Sequence, residues 1–244
     1  MVQINTNTAE LDTTNPDVIE KETSERRSRI DQEFKDGFEI LNKHTNSVTI
    51  FGSARFKEGN EHYEQARAVG AALAREGYTI ATGGGGGIME GGNRGAFEAG
   101  GQSLGFNITL PHEQVLNTYT TDSMPFKYFF TRKVVLTFGA KGYVYLPGGF
   151  GTLDELFEVM TLMQTHKLPH VPIILVGSTF WNGLDVFIRE HLLAGDRTIS
   201  PGDEHIYTIT DDVDEVVSLI NNARDNDNGD VNVNDLHYTD RRQQ

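Results

Sequence analysis

Residues 143–166 read YVYLPGGFGTLDELFEVMTLMQTH. The stretch opens with a short β-favouring run at 143–146. It turns sharply at Pro147-Gly148-Gly149 and continues as an expected helix over 152–166. The same strand, glycine turn and helix recur upstream. Residues 48–51 run into Gly52-Ser53-Ala54-Arg55 and are followed by a helix over 61–76, with Ala66, Val69 and Leu73 on one face and Gly77 as its stop. Residues 78–82 run into five consecutive glycines, 83–87, then a helix over 88–99 closed by Gly100-Gly101, then a strand over 103–108. Residues 110–125 read as irregular, 126–130 as an aromatic strand and 131–138 as a helix. Strands at 171–176 and 206–209 alternate with helices at 180–193 and 212–222. This alternation predicts an α/β fold: a Rossmann-like, doubly wound parallel sheet with helices on both faces. Ligands of such sheets bind at the carboxyl ends of the strands, where the three glycine turns would lie.

Composition bounds the chemistry. The chain has 244 residues, a net charge of −14 and no cysteine, which excludes disulfides, thiolate catalysis and cysteine-based metal centres. The negative charge disfavours nucleic acid, since the basic pairs Arg26-Arg27 and Arg241-Arg242 stand alone. The first residues lack a basic start and an apolar core, and no run approaches the ~20 apolar residues of a membrane helix. A soluble, cytoplasmic protein without membrane contact is expected. His166 and His170 are separated by Lys167-Leu168-Pro169, so no metal site is expected, and no cofactor.

Three parts are expected along the chain. Residues 1–45 combine a disordered start with an N-terminal helical extension that begins near Asn15-Pro16-Asp17 and carries Ile30, Phe34, Phe38 and Leu41 at helical spacing, with Ile40 beside them. That stripe suits packing on the main domain or on a partner subunit. Residues 46–223 form the nucleotide-binding catalytic domain. Residues 224–244 are an Asn/Asp-rich acidic tail, expected to be disordered.

Glycine at a strand-to-helix turn lets the backbone approach a ligand and adopt positive φ, and the amides that open the next helix then form an anion site. Thr152 is placed to cap its helix and to offer a hydroxyl to phosphate. Neither glycine loop is followed by the Lys-Ser/Thr of a Walker A site, and neither carries a dinucleotide fingerprint, so NAD and FAD are disfavoured.

Pro147-Gly148-Gly149-Phe150-Gly151-Thr152-Leu153-Asp154-Glu155, with Arg132-Lys133 upstream, Gly52-Ser53-Ala54-Arg55 and the glycine run into Ile88-Met89-Glu90, resembles the Lonely Guy (LOG) family of cytokinin riboside 5'-monophosphate phosphoribohydrolases. Its members are often labelled "possible lysine decarboxylase". This chain is similar to the extended type. The resemblance implies hydrolysis of the N-glycosidic bond of a purine nucleoside 5'-monophosphate, of the cytokinin type or AMP, to free base and ribose 5-phosphate. It implies Glu155 and Arg132 as the catalytic pair. Gly148, Gly149, Gly151 and Thr152 would contact phosphate and ribose, with Ser53, Lys133, Gly84, Gly85 and Gly86 also lining the site. It further implies a homodimer or larger homo-oligomer.

Chemistry is compatible with that pair. A carboxylate stabilises an oxocarbenium-like state or activates water, and Glu155 is expected in the first turn of the phosphate-binding helix. Arg132 could hold phosphate or steady the departing base. Simpler readings exist: Glu155 as a partner of the helix dipole, Arg132 in a surface ion pair, Asp154 and Glu158 as solvent-facing companions, Met89 as core. Two other functions fit the same turns, a non-catalytic nucleotide sensor and a DNA-processing protein. No lysine here has the context of a Schiff base.

Overall fold

The structure is a computed structural model that describes residues 16–110 and 115–226. The expectations for residues 1–14 and for all but the first residues of the acidic tail lie outside the described residues. Seven strands form one sheet: β1 Ser47–Phe51, β2 Thr79–Thr82, β3 Ser103–Ile108, β4 Asp122–Phe126, β5 Tyr143–Tyr145, β6 Ile173–Val176 and β7 Tyr207–Thr210. They lie in the order β4-β3-β2-β1-β5-β6-β7. Every pairing is parallel; Thr49, for example, sits opposite Tyr143. The chain winds outward from β1 through β4 and then returns to pair β5 with β1, so the winding reverses between β1 and β5. The α/β, doubly wound expectation holds, and the topology marks the β1/β5 crevice as the place where a ligand fits.

Both faces of the sheet are covered, which is why its inner strands are continuous apolar runs. Val48, Ile50, Ile80, Val144 and Ile174 pack under helices α2 (Glu61–Arg75), α3 (Ile88–Glu98) and α7 (Val213–Asn226). Phe51, Phe106, Tyr145 and Leu175 pack under α1 (Pro16–Leu41), α4 (Phe129–Thr137), α5 (Phe150–Gln164) and α6 (Ser178–Phe187). Two glycines of helix α3 let α2 lie against it: a Cβ at Gly95 would fall 2.0 Å from the Arg67 carbonyl oxygen, and one at Gly91 2.7 Å from that of Tyr63, while one at Gly92 would meet Ile50 of β1 at 3.2 Å. Among the described residues no helix is long and apolar enough to cross a membrane.

Helix α1 packs within its own chain. Phe34, Phe38 and Ile40 lie against the core and Leu41 is buried in it, and Phe38 meets Phe138, the residue just past α4, edge-on at 4.9 Å. Several boundaries differ from expectation. Strand β4 begins at Asp122 and contains Pro125, which an edge strand accepts because one side needs no partner. Helix α5 begins at Phe150, two residues early. Helix α6 continues as a π-helix, Ile188–Gly195. Helix α7 extends to Asn226, past the expected start of the tail.

Candidate active site

The turns after β1 and β5 are bonded to each other across the crevice. Leu146 donates its amide to the Phe51 carbonyl (2.9 Å), and Ser53 donates its own to the Pro147 carbonyl (3.1 Å). A cleft of about 720 Å³ opens there, lined by residues 51–56 on one side and 148–155 on the other, with Gly83, Met89, Ile108, Leu110, Phe129, Arg132 and Lys133 closing it. Of the residues expected at the site, Ser53, Arg132, Lys133, Gly148, Gly149, Gly151, Thr152 and Glu155 come together; Gly84, Gly85 and Gly86 do not line the cleft.

The glycines of the β5 turn are there for space. None of Gly148, Gly149 and Gly151 has positive φ, contrary to the general expectation for such turns. A Cβ on Gly148 would sit 2.1 Å from Thr152 Oγ1, whereas one on Gly149 or Gly151 would meet nothing within 4 Å. The last two positions therefore leave backbone bare toward the cleft. Gly149 is the N-cap of α5 and supplies no side-chain cap. Leu153 is bonded back to the Gly149 carbonyl at 3.0 Å, so the amides of residues 150–152 have no partner within the helix. Thr152 is consequently not the cap: it is the third residue of the helix and buried. The start of α6 offers a contrast, because there Asp211 accepts from the amides of Gly177 and Ser178, both at 2.8 Å, and from the Ser178 hydroxyl. One helix N-terminus on this sheet edge carries its own anion and the other, at the switch point, does not.

Since α5 starts at Phe150, Glu155 lies in its second turn. Burial is the main influence on its carboxyl and raises its pKa to about 7, against the pull of Arg132 and Lys133. Its backbone carbonyl accepts from the Tyr145 hydroxyl at 3.2 Å. Arg132, from α4, is 8% exposed and is no surface ion pair. Its Nε donates to the Phe106 carbonyl at 2.8 Å, and a Cβ on Gly83 would sit 2.2 Å from its Nη2, so that glycine makes room for it. Burial lowers the pKa of the guanidinium while the Glu155 charge raises it.

Lys133 lines the cleft, but its ammonium is held by Asp154 (2.9 Å) and Glu158 (2.6 Å). Those two carboxylates are therefore its ion-pair partners rather than idle companions. Burial alone would pull Lys133 down, yet the two pairings outweigh it and its pKa is raised.

The second glycine run supports the first turn. Gly84 and Gly87 have φ of +67°. Asn117 donates its backbone amide to the Gly84 carbonyl (2.9 Å) and its side-chain amide to that of Gly85 (3.0 Å). A Cβ on Gly87 would lie 2.3 Å from the Ser53 carbonyl oxygen, which accepts the Ile88 amide at 3.0 Å. Met89, read as core, also lines the cleft. Glu90 lies outside the lining and accepts from the Tyr63 hydroxyl at 2.8 Å.

Arg55, in the first turn, is a functional residue that the sequence does not assign to the site. It is exposed, lines the cleft, and its amide donates to Ser53 Oγ at 3.2 Å, which fixes the turn. Among the described residues no ion pair engages its guanidinium. A single arginine beside Gly-Ser-Ala carries no signal until the fold brings it opposite the α5 N-terminus. Among the described residues no group of three His, Asp or Glu side chains could hold a metal.

The strand order and the open crevice define a Rossmann-like, doubly wound α/β protein with its cleft at the switch point. The model of the family described as "possible lysine decarboxylase" matches residues 89–220, more than half of the chain, and the chain belongs to that family, the one its motifs resemble. It is similar to a cytokinin riboside 5'-monophosphate phosphoribohydrolase of Mycobacterium marinum, 37% identical over 103 residues, which are 41% of this chain and 55% of that protein. It is also similar to the protein of the same name from Mycobacterium tuberculosis, 33% identical over 115 residues, 46% of this chain and 62% of that protein. The match thus spans somewhat over half the length of these relatives. Among solved structures, a structural-genomics target superposes with a TM-score of 0.55 at 26% identity, covering 72% of this chain and 99% of that one. A molybdenum cofactor carrier protein from Chlamydomonas reinhardtii has a TM-score of 0.55 at 18% identity, covering 73% and 98%, and shares the fold alone.

Proposed function

We propose that the chain is a phosphoribohydrolase that cleaves the N-glycosidic bond of a purine nucleoside 5'-monophosphate. The observation that carries this reading is one cleft holding the uncapped N-terminus of α5, the buried Arg132 and a Glu155 carboxyl raised to about 7. The 5'-phosphate rests on the amides of residues 150–152 and is met from across the cleft by Arg55. The ribose then extends along α5 to Glu155, one turn further on. Phe51, Phe56, Met89 and Ile108 offer the purine an apolar wall.

The chemistry follows from that pose. As the C1'–N bond lengthens, its electron pair leaves with the base and positive charge spreads over C1' and the ring oxygen. The Glu155 carboxylate stabilises that cation and takes a proton from the water whose oxygen bonds to C1'. Arg132 offsets the electron density on the departing base, and the proton that Glu155 took from water passes to the base nitrogen, which returns the carboxylate to its starting state. The products are free base and ribose 5-phosphate. The names of the two mycobacterial relatives support this class of reaction. A decarboxylase reading is less well supported, because the cleft's Lys133 is ion-paired to two carboxylates and held protonated, the opposite of what Schiff-base formation requires. Exposed Phe130 and Val134, one turn apart on α4, support the expected homo-oligomer, which sedimentation would test.

The decisive experiment incubates the purified protein with AMP, with an N6-isopentenyl AMP and with adenosine, following base and ribose 5-phosphate together. Release from a monophosphate but not from adenosine is expected. No release from any purine monophosphate refutes the proposal.

A further inference from the structure

Glu33 of α1 carries a carboxylate in an otherwise apolar seam. It is 7% exposed. Its two oxygens reach the start of α4, where Oε1 accepts the Lys127 amide at 2.7 Å and Oε2 accepts the Thr131 hydroxyl at 2.5 Å. Helix α4 has no cap of its own, since its N-cap residue, Tyr128, contributes no side-chain bond. Glu33 therefore ties down the entry to α4 from nearly a hundred residues away in sequence, holding the backbone just before the N-cap and the side chain of the third helical residue, and its negative charge suits the positive end of that helix. The residue after Thr131 is Arg132, and the next is Lys133; both line the cleft.

The rest of α1 presses on the same helix. One turn on from Glu33, a Cβ at Gly37 would lie 2.7 Å from Val135 Cγ2, so α1 lies tightly against α4 there. Packing alone would favour an apolar side chain at position 33, because burying a carboxylate costs free energy that its bonds must offset. What a carboxylate adds is direction: two bonds that fix where the first turn of α4 sits and hence where Arg132 points.

We infer that Glu33 is a positioning residue for Arg132, and that the N-terminal helix is a working part of the cleft. Helix α1 lies wholly outside the segment matched by the family model, residues 89–220. The inference rests on the hydrolase reading for its kinetic consequence and on geometry alone for its effect on α4.

The test compares Glu33→Leu, Glu33→Gln and Leu41→Ala in the full chain. Leucine keeps the volume and removes both acceptors. Glutamine can accept the Lys127 amide through its oxygen and donate to Thr131 Oγ1, which then donates to the Tyr128 carbonyl, already 2.9 Å away. Leu41→Ala removes buried packing on the same helix without touching the two Glu33 bonds. With AMP, Glu33→Leu should lower kcat about tenfold to a hundredfold through misplacement of Arg132. KM should change far less, Glu33→Gln should recover most of kcat, and Leu41→Ala should lower the melting temperature while sparing kcat. Equal kcat in Glu33→Leu and wild type, or an equal loss in Leu41→Ala, overturns the inference. If the wild type releases no base, the hydrolase reading fails by itself and hydrogen exchange decides. Amides 127–133 should then exchange at least about tenfold faster in Glu33→Leu, as expected when a local opening becomes easier; unchanged protection there overturns the inference.

Discussion

Glu155 should make the protein less stable as it makes it active. Its carboxyl has an ordinary value of 4.5 in the unfolded chain and about 7 in the fold, with burial the leading cause. Between those values the unfolded chain releases a proton that the folded protein retains, so rising pH favours unfolding through this group. The penalty is absent well below 4.5, grows across that window and levels off above 7. Integrating the linkage from about pH 5 to about pH 8.5 gives roughly 2.5 kcal/mol. Because the side chain keeps some solvent contact, we discount this to about 1.5–2.5 kcal/mol. In Glu155→Gln the term vanishes. Melting temperatures of the ligand-free proteins should therefore diverge with pH, the variant gaining about 3–10 °C on the wild type between the two ends of the range. Taking the difference across pH cancels the pH-independent effects of the substitution, such as altered packing. The same ionisation should govern turnover: kcat/KM should rise with pH through an apparent pKa near 7, and base release should be abolished in the variant. Parallel melting profiles would show that Glu155 is not held protonated by its surroundings, and the argument for a poised base would fall with it.

Three further outcomes follow from the cleft. Arg55→Ala should raise KM for AMP about three- to tenfold with little change in kcat, since an exposed charge contact contributes modestly; unchanged KM at low salt would remove Arg55 from the phosphate site. Arg132→Lys should lower kcat by about a hundredfold, because an ammonium cannot reproduce a forked guanidinium aimed at developing charge, and single-turnover base release would show it. Gly149→Ala should leave the folding stability level or higher by up to about 1 kcal/mol, yet weaken AMP binding measured by calorimetry. Gly148→Ala, whose Cβ would meet Thr152 Oγ1 at 2.1 Å, should be destabilised; identical behaviour of the two alanine variants would contradict the assignment of open cradle to one and tight packing to the other.

What could be read from the sequence was whatever parallel burial imprints locally. β1, β2 and β6 are short β-branched runs because both faces are covered, and the runs end in glycines that mark the strand-to-helix turns. β4 was misplaced because an edge strand need not look like one: Asp122-Ser123-Met124-Pro125-Phe126 is polar and contains proline, yet Leu104 and Asn107 pair with it. The aromatic residues after it drew the assignment forward, although Phe129 and Phe130 open a helix. That Arg132 and Glu155 share one cleft was legible only through the family resemblance that rests on both, since nothing local links residues 23 apart. Glu33 was hidden by its own type. Glu33, Gly37 and Leu41 form the buried edge of α1 at four-residue spacing, but a charge and a glycine do not register as a hydrophobic stripe.

Glycine best separates what folding demands from what function adds. In this chain the residue serves three physical ends. Gly84 and Gly87 adopt a left-handed backbone that other residues resist. Gly91 and Gly95 bring two helices into contact, and Gly83 makes space for a guanidinium. The left-handed and helix-contact glycines would be required even if the protein bound nothing. Gly149 and Gly151 meet neither need: their backbone has no positive φ and their missing Cβ would touch no protein atom. A fold under selection for stability alone would gain from alanine there, because alanine restricts the unfolded chain. Bare backbone at the switch point, next to a helix start that has no side-chain cap, is the pattern expected where something other than the protein completes the packing. Glu155, which weakens the fold as it ionises, is a second departure from stability along the same helix, and both departures face the one cleft.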